Sequence, residues 1–110
     1  MKKETIEAII NFRDERDWKQ FHNPKDLAIS LSLEAAELLE NFQWSSSEEA
    51  VGGKLDSLRE ELADVLICSV LLADALGADI DSIVEEKLRL NCGKYPVEKA
   101  KGRKEKYDSL

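Results

Sequence analysis

The segment Leu33-Glu34-Ala35-Ala36-Glu37-Leu38 places two acids three residues apart in an apolar helical pattern, and Glu60-Glu61-Leu62-Ala63-Asp64-Val65 does the same further along. Residues i and i+3 of a helix lie on one side, about a turn apart. At about 100° per residue, each acid pair flanks the apolar stripe of its own helix. If the two helices pack antiparallel, the spacing predicts that all four carboxylates converge near the interior.

Helix signals surround both segments. Asn23 suits an N-cap, Pro24 suits the first helical position, and Gly77 suits a C-terminal cap. Apolar residues recur at three- and four-residue steps, and the chain has only 5 glycines and 2 prolines. The pattern predicts an all-α, four-helix-type bundle, with helices from Lys3 to Trp18, Pro24 to Phe42, Lys54 to Leu76, and Asp79 or Asp81 to about Asn91.

Composition limits the class of protein. The 110 residues suffice for one domain, 1–110, in which we expect residues 97–110 to be a basic, loosely packed tail. Hydrophobic residues make up 43% of the sequence and charged residues 35%. This composition is too apolar for a disordered chain and too charged for a membrane protein. No apolar block of a signal peptide or span is present, so we expect a cytoplasmic protein without a membrane partner.

Charge is divided unevenly along the chain. Residues 1–86 hold 8 basic against 20 acidic residues, whereas residues 87–110 hold 8 against 3. Binding to a nucleic-acid polymer needs a broad basic face, which this acidic body does not offer. The division allows cations to bind in one region and phosphates in another.

The four acids, Glu34, Glu37, Glu61 and Asp64, favour a metal site. Each partly buried carboxylate in such a crowded group costs on the order of several kcal/mol, as a buried unpaired charge does, unless a cation compensates it. Oxygen donors without a nearby His or Cys are typical of a hard cation, Mg²⁺ first and Mn²⁺ second. A diiron bundle would need Glu-x-x-His motifs, and the single histidine, His22, lies in none. The alternative is that the acids form a solvated helix face.

A carboxylate-held Mg²⁺ usually works on phosphate, which also needs cationic partners. Lys87 and Lys94 in the basic quarter are the candidates; otherwise they are ordinary surface lysines. Trp18 and Trp44 could stack on a nucleobase, since each such contact is worth about 1–3 kcal/mol, or could be core or interface residues.

Four further features of the sequence belong together. One is Glu34-x-x-Glu37 followed after 23 residues by Glu61-x-x-Asp64. The other three are the segments Trp18-Lys19-Gln20-Phe21-His22-Asn23-Pro24-Lys25-Asp26-Leu27, Phe42-Gln43-Trp44, and Lys87-x-x-x-Asn91-x-x-Lys94-Tyr95-Pro96. Together they resemble the MazG-like nucleoside triphosphate pyrophosphohydrolases, an all-α group, and in particular their dCTP pyrophosphatase-like branch. The spaced acids are similar to the metal signature of that family.

The resemblance implies Mg²⁺-dependent cleavage of a nucleoside triphosphate to a monophosphate and pyrophosphate, in a homodimer or homotetramer whose subunits share active sites. It implies that the four acids hold Mg²⁺. Our own hypothesis is that Glu34 or Glu37 accepts the proton of the attacking water. Phosphates would face Lys87, Lys94 and Tyr95, and the base or sugar would contact Trp18, His22, Trp44 and Asn91. Cys68 stands where relatives have an aromatic residue, so the base stays open; we expect a pyrimidine such as dCTP.

Two other functions remain open from the residues themselves. One is a non-catalytic helical bundle that mediates protein contacts, and the other is a regulatory protein that binds nucleotides without turnover. The third helix also carries apolar residues outside a single stripe, namely Ile67, Val70 and Leu71. A helix that is apolar on several sides needs more than one neighbour, which predicts at least a dimer.

Overall fold

Helices make up the regular structure of this protein. A computed structural model describes residues 1–110 and contains no strand. The helices are α1 (Lys3–Glu15), α2 (Pro24–Glu40), α3 (Ser47–Ala75), α4 (Ile80–Lys94) and α5 (Val97–Ala100), with 3₁₀ turns at Lys19–Phe21 and Tyr107–Ser109. The predicted all-α class is confirmed. The chain forms two compact units, Met1–Ala78 and Asp79–Leu110.

Side-chain caps and one glycine set several helix ends. Asn23 Oδ1 accepts the backbone N–H of Asp26 at 2.9 Å, as predicted for the start of α2. Asp79 caps α4 in the same way, accepting the N–H of Ser82 at 3.0 Å. Gly77 has φ of 65°, a left-handed conformation in which a side chain would be strained, and it follows the end of α3.

The predicted start of the third helix at Lys54 is wrong, because α3 runs through Gly52 and Gly53. It begins at Ser47, where Ser46 Oγ accepts the backbone N–H of Glu49 at 3.1 Å. Only Lys54 leaves helical geometry, with φ −132° and ψ 28°, so the glycines mark a kink. The Ser46-x-x-Glu49 spacing is the sequence signal of a helix start that could have located this end.

The first two helices are shorter than predicted. α1 ends at Glu15 rather than Trp18, since Asp17 adopts a positive φ of 55° that no helix continues through. α2 ends at Glu40 rather than Phe42. The apolar periodicity of the sequence continues past the ends of both helices. The backbone nevertheless turns at these points to begin the next element, so the prediction was too long.

The packing of α2 against α3 is the most extensive contact between elements. The two helices are antiparallel, because the C-cap Asn41 of α2 bonds to Ser57 early in α3, whereas Glu34 meets Asp64 further along α3. Buried apolar side chains fill the unit around this pair: Leu27, Ala50, Leu58, Val70, Leu71 and Ala73.

α1 is joined to α3 by a buried arginine. Arg13 is 4% exposed, and its Nη1 donates to Asp74 Oδ2 at 2.6 Å while its Nε donates to Asp14 Oδ1 at 2.9 Å. Ion pairs of an arginine that are shielded from water need such hydrogen bonds to offset desolvation. This pair therefore fixes where α1 lies along α3.

The second unit holds α4, α5 and the last 3₁₀ turn. α4 extends to Lys94, beyond the predicted end near Asn91, and α5 is a single turn within the predicted tail. Tyr95 packs edge-on against Tyr107 with ring centroids 6.1 Å apart, and Lys94 Nζ lies 4.9 Å from the Tyr107 ring centre.

Large apolar side chains remain exposed on several helices. Leu33, Leu39 and Leu62 are 60%, 68% and 48% exposed. Val70 and Leu71, cited above as residues needing a partner, are instead buried within the chain. None of the helices combines the length and hydropathy that crossing a bilayer requires.

Candidate metal centre and pocket

Three carboxylates from α2 and α3 meet as the spacing predicts. Oxygens of Glu34, Glu61 and Asp64 all lie within 4.8 Å of one another. Antiparallel pairing causes this, since Glu34 on α2 faces the turn of α3 that carries Glu61 and Asp64. Glu37, one turn along α2, interacts at hydrogen-bonding range with both Glu34 and Glu61. All four predicted acids are thus brought together.

The metal-free cluster is electrostatically unfavourable. Desolvation, then the Glu37 carboxyl and the charges of Asp64 and Glu61, raise the pKa of Glu34. Desolvation, Glu37, Asp64 and Glu60 raise the pKa of Glu61. No lysine or arginine forms an ion pair with any of the four acids. The neighbourhood therefore holds excess negative charge that a cation would balance.

Two buried oxygens in the cluster have no hydrogen-bond partner. They are Oε2 of Glu34 and Oε2 of Glu61. Buried polar atoms in folded proteins nearly always have a partner, so an orphaned pair calls for an explanation. Hard divalent cations are bound by carboxylate oxygens, and these residues fit that donor set. The cluster could hold a metal ion.

A cavity of about 730 Å³ adjoins the cluster. Glu34 and Asp64 form part of its wall, and most of the remainder is apolar, including Phe12, Leu27 and Ile67. Pockets for small molecules typically measure about 300–1,000 Å³ and combine apolar walls with a few polar groups. The cavity has the size and lining of a ligand site beside a cation site.

Trp18 and His22, both predicted from sequence, line this cavity. Trp18 packs edge-on against Phe12 at 5.7 Å between ring centroids, which holds its indole in the wall. His22 Nδ1 is buried and has no hydrogen-bond partner. A ring nitrogen of this kind can donate to or accept from a ligand.

The other predicted residues lie elsewhere. Trp44 follows α2, is 94% exposed and adopts a positive φ of 62°, so it does not line the cavity. Lys87, Asn91, Lys94 and Tyr95 all belong to the second unit, where Lys87 and Lys94 are exposed and Asn91 and Tyr95 are half-buried. Seven of the eleven predicted residues thus belong to the first unit, where Trp44 lies apart from the other six, and four belong to the second.

Two wall residues were not assigned a site role from sequence. Arg13 reaches the cavity from the apolar stripe of α1, three residues after Ile10, and a charge at such a stripe position is the signal that could have identified it. Cys68 lies one turn after Asp64. Burial, with the charges of Glu34 and Asp64, raises the pKa of its thiol, so Cys68 presents a small neutral surface to the cavity.

The chain is similar to proteins of one known family. The MazG-like family model matches residues 29–110. The chain is 40% identical over 104 residues to dCTP pyrophosphatase 1 of Mus musculus and 38% identical to that of Homo sapiens, covering 90% of this chain. It spans 61% of the length of each of these relatives.

A solved structure shares the fold. A pyrophosphatase from Archaeoglobus fulgidus superposes with a TM-score of 0.80 at 41% identity, covering 86% of this chain and 91% of the archaeal chain. The matched residues 29–110 span the acids on α2 and α3. The chain therefore belongs to the MazG-like family.

Proposed function

We propose that this protein is a Mg²⁺-dependent nucleotide pyrophosphohydrolase that cleaves a nucleoside triphosphate between its α and β phosphates. The observation that carries the proposal is the pair of orphaned buried oxygens on Glu34 and Glu61, of which Glu34 lines a ligand-sized cavity. A cation placed there would lie beside any nucleoside that occupies the cavity. The phosphates attached to that nucleoside would then reach the metal centre.

The acids divide into two roles. Glu34, Glu61 and Asp64 form the compact set of ligands, whereas Glu37 touches the set from one side. When bound, the cation would supply charge neutralisation on the phosphates and a more acidic water. Glu37, outside the compact set, is the better placed of the two candidate glutamates to accept the proton of the attacking water.

The cavity is proposed to bind the nucleoside. Trp18 offers an aromatic edge or face to the base, and the buried His22 nitrogen offers one polar contact. Mouse and human dCTP pyrophosphatase 1 are similar to this chain, which supports a pyrimidine deoxynucleotide such as dCTP. The small Cys68 side chain leaves room in the wall near the metal centre.

Four of the proposed substrate-binding residues belong to the second unit. Lys87 and Lys94 are proposed to contact phosphate oxygens together with the Tyr95 hydroxyl, and Asn91 to contact the sugar or base. Asn91 also accepts the N–H of Tyr95 through its carbonyl oxygen at 2.8 Å, which ends α4 and directs the chain after it. These residues share one short stretch of chain, so they act as a group.

A homodimer or homotetramer is proposed on the basis of exposed apolar surface. On α4, Ile83, Val84, Leu88 and Leu90 are 45–57% exposed, and Trp44 is nearly fully exposed. Soluble chains rarely leave large contiguous apolar patches uncovered. Burial of Trp44 in a subunit contact would also compensate its strained left-handed backbone.

A product assay across triphosphates tests the proposal. The protein is incubated with dCTP, dUTP and ATP in Mg²⁺, and products are separated by anion-exchange chromatography. Monophosphate plus pyrophosphate from dCTP supports it, whereas diphosphate plus phosphate refutes the bond assignment. Thermal stabilisation by a triphosphate without any product would instead indicate a nucleotide-binding regulator, and neither effect would indicate an interaction protein.

Matched variants connect the activity to the site. Glu61→Gln removes one charge of the cluster at constant size and should abolish turnover. Asp56→Asn makes the same change on the exposed side of α3 and should leave turnover near wild type. Equal loss in both would contradict the assignment of the cluster.

A further inference from the structure

One side-chain hydrogen bond joins the end of α2 directly to α3. Ser57 Oγ donates to Asn41 Oδ1 at 2.9 Å, and both side chains are half-buried. Neither partner of this bond is charged, unlike the carboxyls of Glu37 and Glu61, which also interact across the two helices. Neither residue belongs to the acidic cluster or the cavity wall.

The position of this bond relative to the acids is regular. One turn back along α2 from Asn41 is Glu37, and one turn forward along α3 from Ser57 is Glu61. A further turn in each direction brings Glu34 opposite Asp64. In an antiparallel pair, one fixed contact sets every contact on the same face. The Asn41–Ser57 bond is therefore in register with the pairs of acids.

Asn41 also contacts the backbone of one acid. Its Nδ2 donates to the carbonyl oxygen of Glu37 at 3.3 Å, satisfying one of the free carbonyls at the end of α2. The same side chain thus holds the last turn of α2 in helical form and ties it to α3. Glu37 projects from that turn.

The acids themselves oppose this pairing when no cation is bound. Like charges face each other across the helix pair, and no basic side chain is paired with them. Repulsion of this kind is relieved by sliding or opening the two helices. A hydrogen bond one turn away, between two uncharged groups, resists both motions at every pH.

We propose that Asn41 and Ser57 are positioning residues that hold α2 and α3 in the register at which their carboxylates share one cation. The inference rests on the proposed function, since it assigns the pair a role in assembling that metal centre. Partners that orient metal ligands typically alter metal affinity about 10- to 100-fold when they are removed. Because this pair acts through helix register, the effect expected is at the lower limit.

The test measures Mn²⁺ binding by isothermal titration calorimetry, with thermal unfolding in EDTA alongside. Ser57→Ala and Asn41→Ala should each weaken Mn²⁺ binding about tenfold. Ser57→Thr keeps the hydroxyl and should restore binding. Ser69→Ala is the matched control, because Ser69 is also half-buried on α3 but donates within its own helix, to the Val65 carbonyl at 2.8 Å.

The kinetic readout separates positioning from general stability. The Mg²⁺ concentration for half-maximal turnover should rise in Ser57→Ala, whereas kcat at saturating Mg²⁺ should stay near wild type. If Ser57→Ala binds Mn²⁺ as tightly as Ser69→Ala does, the pair only packs two helices and the inference is overturned. Wild-type protein that neither binds Mn²⁺ nor cleaves triphosphates would overturn the proposed function, and the inference with it.

Discussion

The ion pair between Arg13 and Asp74 allows a quantitative prediction. The guanidinium is 4% exposed, whereas the Asp74 carboxylate is 40% exposed and accepts from Nη1 at 2.6 Å. Burial by itself would lower the pKa of Arg13, but hydrogen bonds to Asp74 and Asp14 outweigh it, and the pKa of Arg13 is raised. The charge is therefore retained at the cavity wall.

The magnitude follows from the partners that remain when Asp74 is replaced by asparagine. Breaking a fully buried pair costs about 3–5 kcal/mol, and a hydrogen bond to a charged group contributes about 1.5–3 kcal/mol. Asp14 still pairs with Arg13 at 2.9 Å, and Asp74 is partly solvated, so the lower range applies. We expect Asp74→Asn to lose about 2 kcal/mol of unfolding free energy, or roughly 10 °C in Tm for a chain of this size.

Urea unfolding followed by circular dichroism, in EDTA and at one protein concentration, measures this loss. Asp14→Asn is the control and should lose less, because Asp14 neighbours Arg13 in sequence and joins no second helix. The double variant Arg13→Met/Asp74→Leu should recover most of the loss, since an apolar pair replaces the ion pair. Asp74→Asn should also raise KM, because α1 forms one wall of the cavity. Equal losses in Asp74→Asn and Asp14→Asn would refute the reasoning.

Three further predictions concern caps, protons and strain. Asn23→Ala should lower the unfolding free energy by about 1 kcal/mol by removing the cap of α2, whereas Asn23→Asp should retain most of it, as urea unfolding would show. The raised pKa of Glu34 means that the folded state binds the proton of this carboxyl more tightly than the unfolded state does. In EDTA, the contribution of Glu34 to stability should therefore increase as pH falls from neutral towards 4.5. Glu34→Gln should flatten this dependence of Tm on pH. Trp44→Gly should relieve about 1 kcal/mol of left-handed strain yet weaken turnover if the indole contacts substrate, and unchanged kcat/KM would remove Trp44 from the site.

Much of the site could be predicted because its information is local. Acids three residues apart on a helix share a side whatever surrounds them, so Glu34 with Glu37 and Glu61 with Asp64 follow from spacing alone. The third helix was placed less well, since its start depends on the Ser46 cap and its second turn carries two glycines that usually weaken helices. The kink at Lys54 shows that the helix tolerates them with one distorted residue.

By itself, the sequence determined the helical class, the capped start of α2, the glycine stop of α3 and the identity of the four acids. Only the tertiary structure decided that Glu34 meets Asp64 across the helix pair, that Arg13 is buried against Asp74, and that Trp44 stays outside the cavity. The reason is physical: hydrogen bonds and side-chain periodicity within a helix depend on neighbours in the chain. Register and burial depend on contacts between helices that local sequence does not encode.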